Sequence, residues 1–413
     1  MTVPGISPPE GAASLAALLA PLTVETFFAD YYEKQPLHLS GRGVADRYPA
    51  FPGIDGFEHL LWSQEEKLRR VLRVNRQGTY FPMPHPSQGK SLFRWSVDRL
   101  AEGCTLILNG MDTMSVPVAR AARAIEAEFG GKVAANGFLT PTEQQGFLAH
   151  FDTHDVFILQ LEGTKRWPLF DQRIELPIDR QIHLIDQASV GAPSAVFDLE
   201  PGDLLYVPRG LVHGPHTLEG HSFHITMGFR PLRWVDYLTH LVQIAAEQDP
   251  AFRASILERE GEGFETLLSD KLDRLVAAAG KPRPRRLAME RFHETFGAQL
   301  RPLPGAHIRT ATQAETILAD TPLLRRPECP CHVYEQGDAV RIQFPGIGIA
   351  TDENLQPGCI EAPLIAGGAL RKIARSTGPF TARDLPEPLE LASRVDLVRT
   401  LAKAGLLVVC GEE

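Results

Sequence analysis

His150, Asp152 and His154 alternate with Phe151 and Thr153 in the stretch GFLAHFDTHDVFILQLEGTKRWPLF, residues 146–170. A strand turns successive side chains to opposite faces, so an extended segment here projects His150 and Asp152 from one face as neighbours. One imidazole and one carboxylate at that spacing supply two legs of a metal site. The third must come from another element. Residues 198–210, DLEPGDLLYVPRG, combine a Pro-Gly turn, an apolar strand at 204–207 and a Pro-Arg-Gly corner, and LVHGPH follows. If that strand lies beside the first in a barrel, the corner can aim His213 at the same point, with His216, His221 and His224 as competitors. Two histidines and one carboxylate on one side of a cation leave the opposite positions open, which is the facial triad of non-haem Fe(II) oxygenases.

The elements that must position these groups are short strands. Residues 156–161 are a nearly continuous apolar run, Glu162-Gly163-Thr164 is a turn, and Lys165, Trp167, Leu169 and Phe170 begin a return strand. Earlier strands are expected at 72–74, 104–108 and 133–140, and a later one at 221–229. An amphipathic helix is expected over 116–129, ended by Gly130-Gly131. The strand count and turn signals suit a double-stranded β-helix, the jelly-roll or cupin barrel, within a mixed α+β chain. Val24, Phe27, Phe28, Tyr31 and Tyr32 have helical spacing, and residues 1–20 are Pro-, Gly- and Ala-rich and expected to be partly loose.

From Trp234 the period becomes helical. Helices are expected at 234–248, 264–279 and 287–300, with KPRPRR at 281–286 as a loop between the last two. Helices too few for a core of their own often pair with a second copy. The tail adds strands HVYEQ and AVRIQF, helices at 364–377 and 393–404, and a closing strand LLVVC, a winged-helix pattern.

Composition narrows the class. The 413 residues are 43% hydrophobic and 23% charged, as in globular chains of two or three domains. No apolar run approaches the ~18–20 residues needed to span a bilayer, and the N-terminus has no basic n-region. Five scattered cysteines fit reduced thiols in a cytoplasm rather than a disulfide framework. A net charge of −9 argues against broad nucleic-acid binding and mildly favours a basic peptide partner. The Cys329-Pro330-Cys331-His332 cluster, with no second pair, is a weak metal signal and reads better as loop thiols.

HFD at 150–152, VFILQLEG with Lys165 and Trp167 after it, GDLLYVPRG before His213, and the opening Lys34-Gln35-Pro36-Leu37 together resemble the JmjC-type (cupin-4) ribosomal oxygenases. The nearest likeness is to the bacterial ribosomal-protein arginine hydroxylases. The resemblance implies a catalytic domain at 1–232, a helical dimerisation region at 233–305 and a winged-helix domain at 306–413. It implies a cytoplasmic homodimer that uses Fe(II) and 2-oxoglutarate to hydroxylate an arginine or histidine β-carbon of a ribosomal protein. His213 is then the third ligand beside His150 and Asp152, since it stands three residues after Pro-Arg-Gly. Lys165 would meet the distal carboxylate of 2-oxoglutarate, because a buried ammonium requires an anionic partner. Arg166, pointing the other way, is the lesser candidate. Asn136 and His224 are expected to help hold the cosubstrate, against plain wall or core roles for each, and His154 to stand at the rim facing substrate. Two other functions fit parts of the chain: a peptide hydroxylase of natural-product maturation, and a winged-helix regulator with a metal-sensing cupin. The regulator requires a basic recognition helix, and the tail's cations are interspersed with acids.

Overall fold

Hydrophobic patterning becomes two compact units, residues 4–231 and 232–413. The computed structural model describes residues 14–410 except 49, 86–88, 90, 172–173, 182–184, 257–262, 298–299, 301, 327–328 and 346–357. Residues 1–13, most of the segment expected to be loose, lie outside the described residues. The rest of that segment is ordered, because Leu15, Leu18 and Leu19 of helix Leu15–Leu19 are buried and Ser14 caps its first turn.

The first unit contains strands β1 Leu37–Leu39, β2 Leu72–Arg76, β3 Thr79–Tyr80, β4 Thr105–Asn109, β5 Val133–Thr140, β6 Asp155–Glu162, β7 Lys165–Leu169, β8 Ala195–Leu199, β9 Leu204–Val207, β10 His216–Thr217 and β11 Ser222–Phe229. Eight form one sheet in the order β1-β9-β6-β11-β5-β4-β2-β3, and three form a second, β10-β7-β8. Every pairing is antiparallel. This is a cupin-type double sheet.

Strand β6 explains why its sequence shows no alternation. Val156 and Ile158 pack with Trp167, Leu169 and Leu199 of the small sheet, while Phe157, Leu159 and Leu161 join the larger core. A strand covered on both faces reads as a continuous apolar run. The larger core is closed by helix Val116–Phe129, whose Val118, Ala122, Ile125 and Phe129 are buried. Near the N-terminus the expected helix is partly a π-helix, Phe27–Tyr31, with the Tyr32 amide donating to the Phe27 carbonyl at 2.9 Å.

The second unit opens with helices Trp234–Gln248, Phe264–Ala279 and Pro282–Gly297. The KPRPRR segment is therefore helical from Pro282 rather than a loop. Pro282 and Pro284 both fall in the first turn, where backbone N–H groups have no intrahelical acceptor to lose. Leu241 and Ile244 pack on Ala288, yet no residue of Phe264–Ala279 is buried. A separate core follows around Val340, Ile342, Leu370, Ile373, Val398 and Leu401. It is framed by strands β12 Leu323–Arg325, β13 His332–Gln336, β14 Ala339–Phe344, β15 Gly358–Pro363 and β16 Leu407–Val409, with helices Gly367–Arg375 and Leu391–Lys403.

Candidate metal centre

Residues 150–154 are not a strand: β6 begins only at Asp155. The pairing is interrupted instead of absent. Val156 lies opposite Val207 in the β6–β9 ladder, and His150 lies opposite His213, six positions back on one chain and six on along the other. The His150 amide donates to the His213 carbonyl at 2.9 Å and the reverse bond is 2.8 Å. Between these points the chain is irregular, with Pro208 unable to donate and Gly210 at φ 85°. The bridge, not strand alternation, brings the second histidine to the first.

His150, Asp152 and His213 each offer a ligand atom within 4.8 Å of the others, the one such group of three among the described residues. His213 Nε2 lies 3.7 Å from an Asp152 oxygen. Each imidazole is tied at Nδ1 to a backbone carbonyl two residues before it, Leu148 at 2.8 Å for His150 and Leu211 at 3.0 Å for His213. That bond fixes ring orientation and leaves Nε2 for a metal. Burial, and then the His150 imidazole, pulls His213 down to about 4, so it is neutral and ligand-competent at pH 7. Burial works to raise Asp152, but the imidazoles of His154, His150 and His213 outweigh it and hold the carboxyl below its ordinary value. His216, a competitor of His213 by sequence, belongs to the short strand β10 opposite Arg166, on the small sheet.

The three face a cavity of about 320 Å³ whose wall includes Thr105, Asn136, Phe138, Thr140, Lys165 and His224. Its size suits a small metabolite together with a substrate side chain. Lys165 is 3% exposed and its Nζ donates to the Thr140 hydroxyl at 3.1 Å. No carboxylate of the described residues pairs with it, and burial draws it down to about 7. The turn that delivers it requires glycine: Gly163 has φ 64°, and a Cβ there would lie 1.7 Å from the His221 carbonyl oxygen. Arg166, next along β7, faces outward in a two-pronged pair with Asp198, both bonds 2.6 Å.

His224 is buried and stacked on Phe138 at 5.0 Å, with no partner for Nδ1 among the described residues. Burial and the neighbouring Lys165 push its pKa well below the ordinary histidine value. Asn136 lines the cavity while its Oδ1 accepts from the Gly110 amide at 3.1 Å. His154 also lines it, its ring packed where a Cβ on Gly228 would stand. Arg73 and the largely exposed Tyr80 border the same cavity and escaped sequence reasoning, since an aromatic in a two-residue strand carries no periodic signal. The Cys-Pro-Cys-His cluster does not converge. Cys329 is in the core of the second unit, Cys331 faces the Ala374 carbonyl, and His332 meets His293 at 2.7 Å.

Residues 113–237 match the JmjC domain family. The chain is 31% identical over 250 residues to ribosomal oxygenase 1 of Danio rerio, covering 58% of this chain and 45% of that protein. It is 32% identical over 260 residues to ribosomal oxygenase 2 of Rattus norvegicus, covering 60% and 55%. It thus spans about half the length of these curated relatives. A Dictyostelium discoideum protein named bifunctional lysine-specific demethylase and histidyl-hydroxylase NO66 is 26% identical, with 95% of this chain and 82% of that one covered. The fold is similar to that of YcfD, a ribosomal oxygenase from Escherichia coli, with TM-score 0.52 and 17% identity over 95% of this chain and 99% of that one. YcfD has also been solved in complex with cobalt and 2-oxoglutarate, at TM-score 0.52 and 16% identity, with 95% and 99% covered. The chain carries a JmjC domain and is homologous to the ribosomal oxygenases.

Proposed function

We propose that the protein is an Fe(II)- and 2-oxoglutarate-dependent hydroxylase of a ribosomal-protein side chain. One observation carries this: a facial His150, Asp152, His213 set shares a cavity with a buried lysine that has no counter-charge among the described residues. Fe(II) would sit on the two Nε2 atoms and one Asp152 oxygen, leaving positions for the keto acid of 2-oxoglutarate. When bound, Fe(II) and 2-oxoglutarate with dioxygen supply the oxidant for a C–H bond and release succinate and carbon dioxide.

The chain's own residues bind and orient. An unpaired ammonium beside a hydroxyl fits a carboxylate, so Lys165 and Thr140 would anchor the distal end of 2-oxoglutarate. His224, whose Nδ1 has no partner among the described residues, would bond the same group, and Asn136 offers its amide from β5. Trp167 and Val207 add apolar surface to the cavity wall.

Between arginine and histidine substrates, the lining favours the neutral imidazole. Asp152, already a metal ligand, is the one carboxylate among the described lining residues, whereas Arg73 is cationic. A guanidinium entering there would find no partner. The name of the Dictyostelium relative, a histidyl-hydroxylase, points the same way. A cytoplasmic setting and a homodimer complete the proposal. Trp234, Leu272 and Val276, 80%, 52% and 71% exposed, give the helices of the second unit an apolar surface that water does not favour. A winged-helix role in substrate positioning is proposed for 306–413.

The test is mass spectrometry of ribosomal proteins incubated with the protein, Fe(II) and 2-oxoglutarate beside a His150→Ala control. A gain of one oxygen on one histidine, absent in the control, is expected. Turnover of 2-oxoglutarate with no ribosomal protein modified would move the substrate elsewhere.

A further inference from the structure

Two of the five residues from Pro208 to Val212, Arg209 and Gly210, have bonds across to the 150–155 segment or to the N-terminal region. The Gly210 amide donates to the Asp152 carbonyl at 2.9 Å. Arg209, 5% exposed, donates from Nη1 to Asp155 at 2.6 Å and from Nη2 to Glu33 at 2.6 Å. Asp155 is fully buried, and its other oxygen accepts from the Tyr206 hydroxyl at 2.6 Å. The Tyr206 hydroxyl in turn accepts from the Glu33 amide at 3.0 Å, and Glu33 stands at φ 60°, a conformation uncommon outside glycine. Val212 adds an amide-to-carbonyl link of its own, accepting from Phe170 at 2.8 Å. The polar cluster therefore joins three parts of the chain: Glu33, Asp155 and residues 206–209.

Such a network is poor value as bulk stability. Hydrophobic groups of equal volume often hold a fold as well as a buried ion pair does. What ion pairs add is direction. The ladder is interrupted between Val156↔Val207 and His150↔His213, and pairing without a continuous ladder specifies register weakly. A slip of one residue there would turn Asp152 or His213 away from the cavity. The Arg209–Asp155 pair lies inside that interruption, adjacent to the residues whose side chains must converge.

The geometry points to Arg209 as a positioning residue of the metal centre. Paired with Asp155 and braced by Glu33, it holds the 150–155 and 209–213 segments in the one register that brings His150, Asp152 and His213 together. It touches neither metal nor substrate. The proposal rests on the metal-binding reading above, and Co(II) used alone as a probe separates the two. Wild-type protein is expected to bind one equivalent of Co(II) with a visible d–d absorption that His150→Ala lacks. Without that binding, the metal-centre reading fails and the positioning role with it.

Given binding, Arg209→Lys keeps a charge but loses the two-pronged fork. It is expected to weaken Co(II) about tenfold and alter the absorption, and Arg209→Met to weaken it toward 100-fold, the range typical of outer-shell partners. Glu33→Gln, at the solvent edge of the network, is expected to cost a few-fold. The structural control is Arg123→Met, which breaks a comparably buried pair with Glu126 away from the cavity. It is expected to lower the melting temperature of the metal-free protein while leaving Co(II) affinity and spectrum unchanged. Unaltered Co(II) affinity and spectrum in both Arg209 variants would overturn the proposal. So would losses no larger than those of Arg123→Met at equal melting temperature.

Discussion

Strand β6 and helix Phe264–Ala279 are both rich in apolar residues, and their fates are opposite. Every residue of β6 from Asp155 to Leu161 is buried, with its two faces against different clusters. The helix has Leu267, Leu268, Leu272 and Val276 on its surface and buries nothing. Apolar patterning therefore states that a face prefers to be covered; it does not say by what. In β6 the same chain supplies the cover. On the helix, cover from a second copy is proposed.

The sharpest break in this contrast comes from truncation. Phe157→Ala empties a fully buried site and is expected to cost about 3–5 kcal/mol, whereas Leu272→Ala is expected to change monomer stability by less than about 0.5 kcal/mol. Urea unfolding at low protein concentration measures both. Equal costs would mean that the helix is covered within the monomer.

A charge placed on the same helix addresses its partner. Leu272→Glu with Val276→Glu is expected to halve the mass seen by light scattering while the chromophores of the first unit stay folded. A wild-type protein monomeric at tens of micromolar would remove the homodimer from the proposal.

Strand β7 repeats the comparison with charges. Lys165 is buried with no counter-charge among the described residues, and Arg166 is outside with one. Unfolded, Lys165 keeps its proton to about 10.5, but folded and without an anion it loses it near 7. The unfolded state binds more protons across that interval, so this group makes the ligand-free protein more stable as pH rises from 7 toward 10. A bound carboxylate reverses the preference and retains the proton. Affinity for 2-oxoglutarate is therefore expected to fall with rising pH above 7, by up to about tenfold per unit. Calorimetry in two buffers should detect proton uptake, and Lys165→Met should lose both the affinity and the slope.

The smallest effect belongs to the exposed pair. Arg166→Gln is expected to leave the melting temperature nearly unchanged and 2-oxoglutarate binding unchanged, since an ion pair in water gains little. A large effect on binding would return Arg166 to the candidates for the anion anchor.

Much of this was legible in the residues themselves. The bounds of helix Val116–Phe129 and strands Val133–Thr140 and Leu204–Val207 follow from local periodicity and glycine stops, which depend on near neighbours. HFD, Lys165 after its turn, and His213 after Pro-Arg-Gly were readable as types and order. The course of residues 150–154 was not, because alternating residue types look alike in a strand and in an interrupted ladder. Nor was the helical start at Pro282, where two prolines resemble a loop until their place in a first turn is known.

Residue types and local spacing thus determined which groups could do chemistry and which segments would be strands or helices. Only the tertiary structure decided that His150 faces His213, that Lys165 is left with a hydroxyl and no carboxylate among the described residues, and that Arg209 reaches both Asp155 and Glu33. The reason is physical. These contacts join residues up to 176 positions apart, and their strength depends on burial and on the absence of competing water. Neither is a property of a residue and its neighbours in the chain.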